Sequence, residues 1–210
     1  MPELKRTHSC YYSVGKFLSL TEDKWIKTME KNAHELPSVG QIEAWKDSFG
    51  VLQQALGALP AEYHDLYIIF EYALPRYPVK PGKKHSPWYV FCDAILLSKT
   101  RVVTLEFKQK KEDYFGDAHQ ARKYRRRIQD FHDESRGMGK GALLVLTRAS
   151  ELREKYFKVD CCSADLLATA IEEQFAGKIT RHPNPSAWCA STFSCHKPKV
   201  IRISSSPLKK

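Results

Sequence analysis

The chain has 210 residues, a formal charge of +10, and 42% hydrophobic and 28% charged side chains. That length suits one domain with a core of its own. No run approaches the roughly 20 apolar residues of a bilayer-spanning helix, and the opening MPELKRTHSCYY lacks the apolar segment of a secretory leader. The expected setting is therefore cytoplasmic. There Cys10, Cys92, Cys161, Cys162, Cys189 and Cys195, which show no framework spacing, would be reduced thiols.

The positive charge is unevenly placed. Residues 1–70 carry 7 basic and 9 acidic groups, residues 71–140 carry 16 and 9, and residues 141–210 carry 11 and 6. Such an excess suits a phosphate backbone, and equally a basic solvated surface.

In chain order, Thr21 can cap a helix over 22–33, although Lys24 replaces the usual reciprocal acid. Ser38 with Gln41 makes a better capping box. Beyond it Ile42, Trp45, Phe49, Leu52, Leu56 and Leu59 recur at spacings of 3 and 4, one buried stripe of a helix that Pro60 ends. A strand is expected around 67–72. The proline-rich loop LPRYPVKPGKKHSP follows, carrying Lys83 and Lys84, and reads either as a solvated connector or as an arm that contacts nucleic acid. Residues 88–108 read as a hairpin about Ser98-Lys99-Thr100. A helix over about 117–132 turns Ala118, Ala121, Ile128 and Phe131 to the core and carries the basic run Arg122, Lys123, Arg125, Arg126 and Arg127. Leu143–Thr147 reads as a buried strand. Ser163 would cap a helix to about Phe175, ended by Gly177. HPNPSAWCASTFS reads as loop, 197–205 as a last strand, and 206–210 as a loose tail.

Chemistry concentrates in the hairpin. Its first strand carries one acid, Asp93, and its second ends Glu106-Phe107-Lys108. Alternation puts Glu106 and Lys108 on one face, and the short turn returns Asp93 beside them. Buried charges are costly unless they are paired or bind metal. Two carboxylates and an amine suit a hard divalent cation held against a phosphate. The rival reading is a surface ion pair on an edge strand. A zinc site from His182, Cys189, Cys195 and His196 lacks any C-x2-C pair. His119 and His132 are expected to pack or hydrogen-bond, and Tyr124 to be half-buried.

The spacing Asp93-x12-Glu106-x-Lys108 resembles the PD-(D/E)xK nuclease superfamily, with Cys92 in place of the motif proline. The strings FEYALPR, LEFK, Q-x3-Y-x3-I-x2-FH and the late Trp188 resemble, over about residues 35–205, the nuclease-like domain found before P-loop helicase domains in bacterial proteins. No G-x4-GK[ST] loop occurs here, so the chain reads as a stand-alone relative or as a piece of a longer protein.

The resemblance implies an α/β fold: a restriction-endonuclease-like core with a central mixed sheet flanked by helices. It would form a single domain over 1–205, with an N-terminal helical segment at about 22–59. It implies a Mg²⁺-dependent deoxyribonuclease, with Mn²⁺ as a substitute. Asp93, Glu106 and the Phe107 carbonyl would ligate the ion, and Glu71 directly or through water. Lys108 would orient or deprotonate the attacking water, and Gln120 would position the lysine, the water or the phosphate. Glu71 pairing with Arg76, and Gln120 capping its helix from position N3, are the structural alternatives. Lys83, Lys84, Lys110, Lys111, Arg122, Lys123, Arg126 and Arg127 are the candidate nucleic-acid contacts. The partner would be DNA, with RNA open, and a helicase domain or subunit and a second copy of the chain are further candidates. Anti-phage defence or DNA repair would be the context. The alternative is a catalytically silent nucleic-acid-binding or helicase-associated docking module of the same fold.

Overall fold

In a computed structural model of the chain, the described residues are 7–75, 89–176, 179–182 and 184–191. The arm with Lys83 and Lys84, Arg76, Gly177, Cys195, His196, the strand expected at 197–205 and the tail lie outside them.

Among the described residues, seven strands form one mixed sheet: β1 (Cys10–Ser13), β2 (Tyr67–Pro75), β3 (Tyr89–Leu97), β4 (Arg101–Lys108), β5 (Gly139–Leu146), β6 (Arg153–Tyr156) and β7 (Val159–Ser163). Their spatial order is β1-β2-β3-β4-β5-β7-β6. β1 to β4 run antiparallel to their neighbours, β4–β5 and β5–β7 are parallel, and β6 returns antiparallel on β7. The fold is thus α/β with a mixed sheet between helices, as expected. Six α-helices among the described residues flank it: α1 (Val14–Leu18), α2 (Glu22–Asn32), α3 (Val39–Gly57), α4 (Phe115–Phe131), α5 (Leu167–Phe175) and α6 (Pro185–Ala190).

The elements follow from local chemistry. Ser38 accepts the Gln41 amide and starts α3, whose Trp45, Phe49, Leu52 and Leu56 are buried. With Phe17, Trp25 and Phe70 they build the core on one face of the sheet, which α5 also covers. The central strands have apolar side chains on both faces, because helices cover both. The hairpin turn is tied by Ser98 Oγ, which accepts from the Thr100 and Arg101 amides. On the other face α4 packs Ala118, Ala121, Tyr124 and Ile128 onto the sheet. A Cβ at Gly141 would sit 2.0 Å from Gln174 Oε1, so a side chain there would displace the Gln174 amide from Arg101 and Asp160.

Several sequence expectations need correction. β1 and α1, not expected from the sequence, precede the first expected helix and add a strand at the sheet edge, while the segment expected to be helical at about 22–59 holds α2 and α3. Thr21 stands at the N-cap of α2 without a side-chain cap bond. α4 opens at Phe115, two residues early, so Gln120 is not at N3 and does not cap. Tyr124 is fully buried, not half-buried. Ser163 caps nothing by its side chain. Its Oγ accepts the Leu152 amide, and a 3-10 turn over Ala164–Leu166 precedes α5. The segment read as loop before Ser191 contains α6, capped by Asn184 Oδ1 on the Ala187 amide with Pro185 in its first turn. α6 buries Trp188, whose Nε1 donates to Ser135 Oγ at 3.1 Å.

Candidate active site

The site lies where β3 and β4 part. Their ladder runs from Leu97–Val102 to Ala94–Leu105 and stops one residue short of Asp93 and Glu106. The β2–β3 ladder keeps its register across the same level, pairing Phe70 with Ala94 and Tyr72 with Cys92, but omits Glu71 and Asp93 between them. Glu71 is left-handed, with φ +49°. Alternation changes phase here on both strands. Ile68, Phe70, Ala94 and Leu96 face α3, while Ile69, Tyr72, Leu74, Cys92, Ile95 and Leu97 face α4 and α6. A left-handed non-glycine residue costs on the order of 1–3 kcal/mol, and such strain persists where the surroundings over-determine it.

The gap is bridged by side chains. The Phe107 amide donates to Asp93 Oδ2 at 2.8 Å in place of a ladder bond. An extended residue sends its N–H and C=O to the same side, so the Phe107 carbonyl also faces the opening beside Asp93. Glu106, 1% exposed, faces α4. Its Oε1 accepts from Lys108 Nζ at 2.8 Å and from Gln120 Nε2 at 2.9 Å, and Gln120 also reaches Tyr124 OH at 2.6 Å. Glu106 Oε2 is buried and has no hydrogen-bond partner among the described residues. The expected same-face approach of Glu106 and Lys108 is therefore real, and it occurs inside the sheet beneath α4, not as a surface pair on an edge strand. Lys108 keeps 27% of its side chain exposed and lines a pocket of about 200 Å³ with Asp93, Phe107, Glu71, Trp45 and Phe70. Glu71 points toward α3, and its Oε1 accepts from Trp45 Nε1 at 2.8 Å. Trp45 read from sequence as one more core residue; no spacing marked it as a carboxylate partner.

Charge is crowded here. Burial, then Asp93, push the Glu106 carboxyl up to about 8 against the pull of Lys108. Burial, then Asp93, raise Glu71 to about 7 against the Trp45 bond. Asp93 is raised by burial, opposed by the Phe107 amide and Lys108. Burial would lower Lys108, but Glu106, Asp93 and Asp117 outweigh it and the ammonium is raised. Among the described residues, Asp93 and Glu106 draw on the Lys108 ammonium, Glu71 is answered by the Trp45 N–H, and Glu106 Oε2 has no partner.

Among the described residues, no group of three or more His, Cys, Asp and Glu side chains is gathered to hold a metal ion. Mg²⁺ does not require one, since it keeps several waters and takes one or two carboxylates. Asp93, Glu106 and the Phe107 carbonyl supply hard oxygen donors, and the orphaned Glu106 Oε2 fits such an ion. Of the imagined zinc ligands, Cys189 is in the core with its thiol pushed up to about 12 by burial. His182 Nδ1 accepts the Asn184 amide. His132 has the expected structural role: Nε2 meets Tyr72 OH at 3.1 Å and Nδ1 meets Ser135 Oγ at 2.8 Å.

The basic candidates do not form one surface. Lys110 pairs with Asp117 at 2.7 Å. Lys111 is exposed beyond β4. On α4 the run divides between two flanks. Lys123 and Arg127 follow Gln120 at helical spacing on the site side. Arg122, Arg125 and Arg126 turn to the opposite flank, toward the β6–β7 turn. His119 packs there, with its ring 5.2 Å from Phe157. No described helix is long and apolar enough to cross a membrane.

The crystal structure of protein VC1899 from Vibrio cholerae aligns with a TM-score of 0.38 and 12% identity, over 80% of this chain and 46% of that one, so the chain spans just under half of that protein's length. No protein-family model and no curated protein matches the chain.

Proposed function

We propose that this protein is a Mg²⁺-dependent nuclease that hydrolyses DNA phosphodiester bonds at the fork of β3 and β4. The observation that carries the reading is the convergence of Asp93, Glu106 and Lys108 there, with one Glu106 oxygen buried and unpartnered. The resemblance to the PD-(D/E)xK nucleases points the same way.

When bound, the ion would supply Lewis-acid stabilisation of the phosphate and a nucleophile near neutral pH. Asp93, Glu106 and the Phe107 carbonyl would hold it. Lys108, on the pocket side of Glu106, would neutralise charge developing on the non-bridging phosphate oxygens. Gln120 fixes the Glu106 carboxylate from α4 and is itself held by Tyr124, so it is a positioning residue. Glu71 sits one strand further out and would act through water. Lys123 and Arg127, on the site flank of α4, would meet the phosphate backbone, as would Lys83 and Lys84. A helicase partner and a dimer belong to the same proposal.

The test is cleavage of plasmid, linear duplex and single-stranded DNA in Mg²⁺, Mn²⁺ or EDTA, beside Lys108→Ala. Metal-dependent cutting that falls on the order of 10²–10³-fold in the variant supports the reading. No cutting, with salt-sensitive DNA binding retained, would replace it with the catalytically silent binding module.

A further inference from the structure

The flank of α4 turned away from Glu106 builds a second site. Arg122, Arg125, Arg126 and Gln129 meet Phe157 and Lys158 of the β6–β7 turn around a pocket of about 310 Å³. This lining holds four cations and no acid. Arg125 is anchored through Nε to the Lys140 carbonyl at 3.1 Å, and the Arg122 guanidinium lies 5.2 Å from the centre of the Phe157 ring. Arg126 has an exposed, loose contact with Asp130 at 3.8 Å.

The turn supplies an independent observation. Tyr156 pairs with Val159, so Phe157 and Lys158 alone close the hairpin, with φ +49° and +66°. Two left-handed residues in a two-residue loop favour Asn-Gly, because a side chain in that region meets steric resistance. Here the places are taken by a large ring and a cation. Phe157 is 49% exposed, its ring 4.3 Å from Tyr156, which in turn lies 4.9 Å from Phe115, 57% exposed. The outer surface thus carries a row of rings beside the cationic pocket.

We infer that this pocket binds a single-stranded nucleic acid, holding a backbone phosphate among Arg122, Arg125, Arg126 and Lys158 while an unpaired base stacks on Phe157. Cations alone serve any polyanion. The half-exposed rings select a strand whose base faces are free, which a duplex conceals. The inference rests on the nucleic-acid reading above for the class of ligand, and it adds strandedness and a second contact outside the cleft.

The experiment is fluorescence anisotropy in EDTA, with a labelled thymidine oligomer and a matched duplex of about 20 residues each, for the parent and the double variant Phe157→Asn/Lys158→Gly. That variant installs the pair the turn prefers, so its melting temperature holds or rises. Single-strand affinity is expected to fall roughly tenfold, and the slope of log K against log salt to fall by roughly 0.7. Duplex affinity stays within about twofold. Unchanged single-strand affinity, or equal weakening of both ligands, overturns the inference. So does a phosphoserine peptide that displaces the oligomer as well as unlabelled strand does. Cleavage of duplex in Mg²⁺ is read in parallel. Cutting with unchanged single-strand binding sinks this pocket and leaves the cleft. Variant-sensitive binding without cutting sinks the cleft and leaves the pocket.

Discussion

Glu106 on β4 and Asp160 on β7 are both buried carboxylates of one sheet, and their surroundings separate an acid answered on both oxygens from the proposed metal ligand. Asp160 Oδ1 faces Lys155 at 3.4 Å and Arg153 at 3.9 Å, while its Oδ2 accepts from Gln174, which is held in turn by Arg101 at 2.8 Å. Every oxygen is answered, and the acid that shares Arg153 with it, Glu173, is itself ion-paired there. Glu106 has one cation and one amide on a single oxygen, nothing on the other, and Asp93 beside it. Folding alone selects the first arrangement, because unpaired buried charge is destabilising. The second is retained at a cost that burial of apolar neighbours such as Leu105, Leu144 and Tyr124 must offset.

The largest expected effect breaks this contrast at Glu106. Glu106→Gln keeps the shape and removes the charge, so plasmid cleavage should fall by at least about 10³-fold while the melting temperature holds or rises. DNA affinity in EDTA should stay close to that of the parent. A variant that cuts like the parent would show that this oxygen holds nothing needed for chemistry.

Asp160→Asn should do the reverse. It removes the charge that Lys155 faces and disturbs the Gln174 hydrogen bond, while Arg153 keeps Glu173, and chemical denaturation should report a loss of about 1–3 kcal/mol, the low end reflecting the exposure of Lys155. Specific activity per folded molecule should be retained.

A third expectation concerns pH. Glu71, at about 7, and Glu106, at about 8, have folded values above their unfolded ones. The native state therefore binds more protons than the unfolded chain, and stability falls as pH rises through this range. His132, lowered to about 4 by burial, acts in the opposite sense and only below about pH 6.5, its ordinary value. Between pH 6.5 and 8 in EDTA, scanning calorimetry should record a falling melting temperature. Mg²⁺ should raise it more at pH 8 than at 6.5. A flat profile, or equal protection by metal at both pH values, would mean that the acids do not share a low-dielectric site.

The smallest effect is at the rim. Trp45→Phe removes the bond that fixes Glu71 and should cost about 1 kcal/mol of stability, with cleavage reduced only several-fold. A loss as deep as that of Glu106→Gln would move Glu71 from the rim to the centre of the chemistry.

How much of this was legible depended on which physics each segment expressed. The hairpin and α3 showed in hydrophobic period alone, and strand alternation put Glu106 beside Lys108 correctly. The phase change at Glu71 and Asp93 left no trace, because a left-handed glutamate inside an apolar strand has no composition signature. β6 was missed because REKY is a charged edge strand, and its turn because Phe157-Lys158 carries none of the residues that announce a hairpin. The basic run of α4 read as one set of nucleic-acid contacts. A helical projection about the buried Ala118, Ala121 and Ile128 already divides it into two flanks, so that signal was present in the sequence and unused. The alternative of Gln120 as a helix cap falls because Phe115 and Gly116 extend α4 backwards. Residues of the Lys83–Lys84 arm lie outside the described chain.

If the Glu106 carboxylate holds a hard cation as proposed, titration calorimetry of Mn²⁺ into the metal-free protein should show saturable binding that Glu106→Gln loses, with both proteins folded. Equal binding by both, or none by the parent at millimolar Mn²⁺ with DNA present, would contradict it.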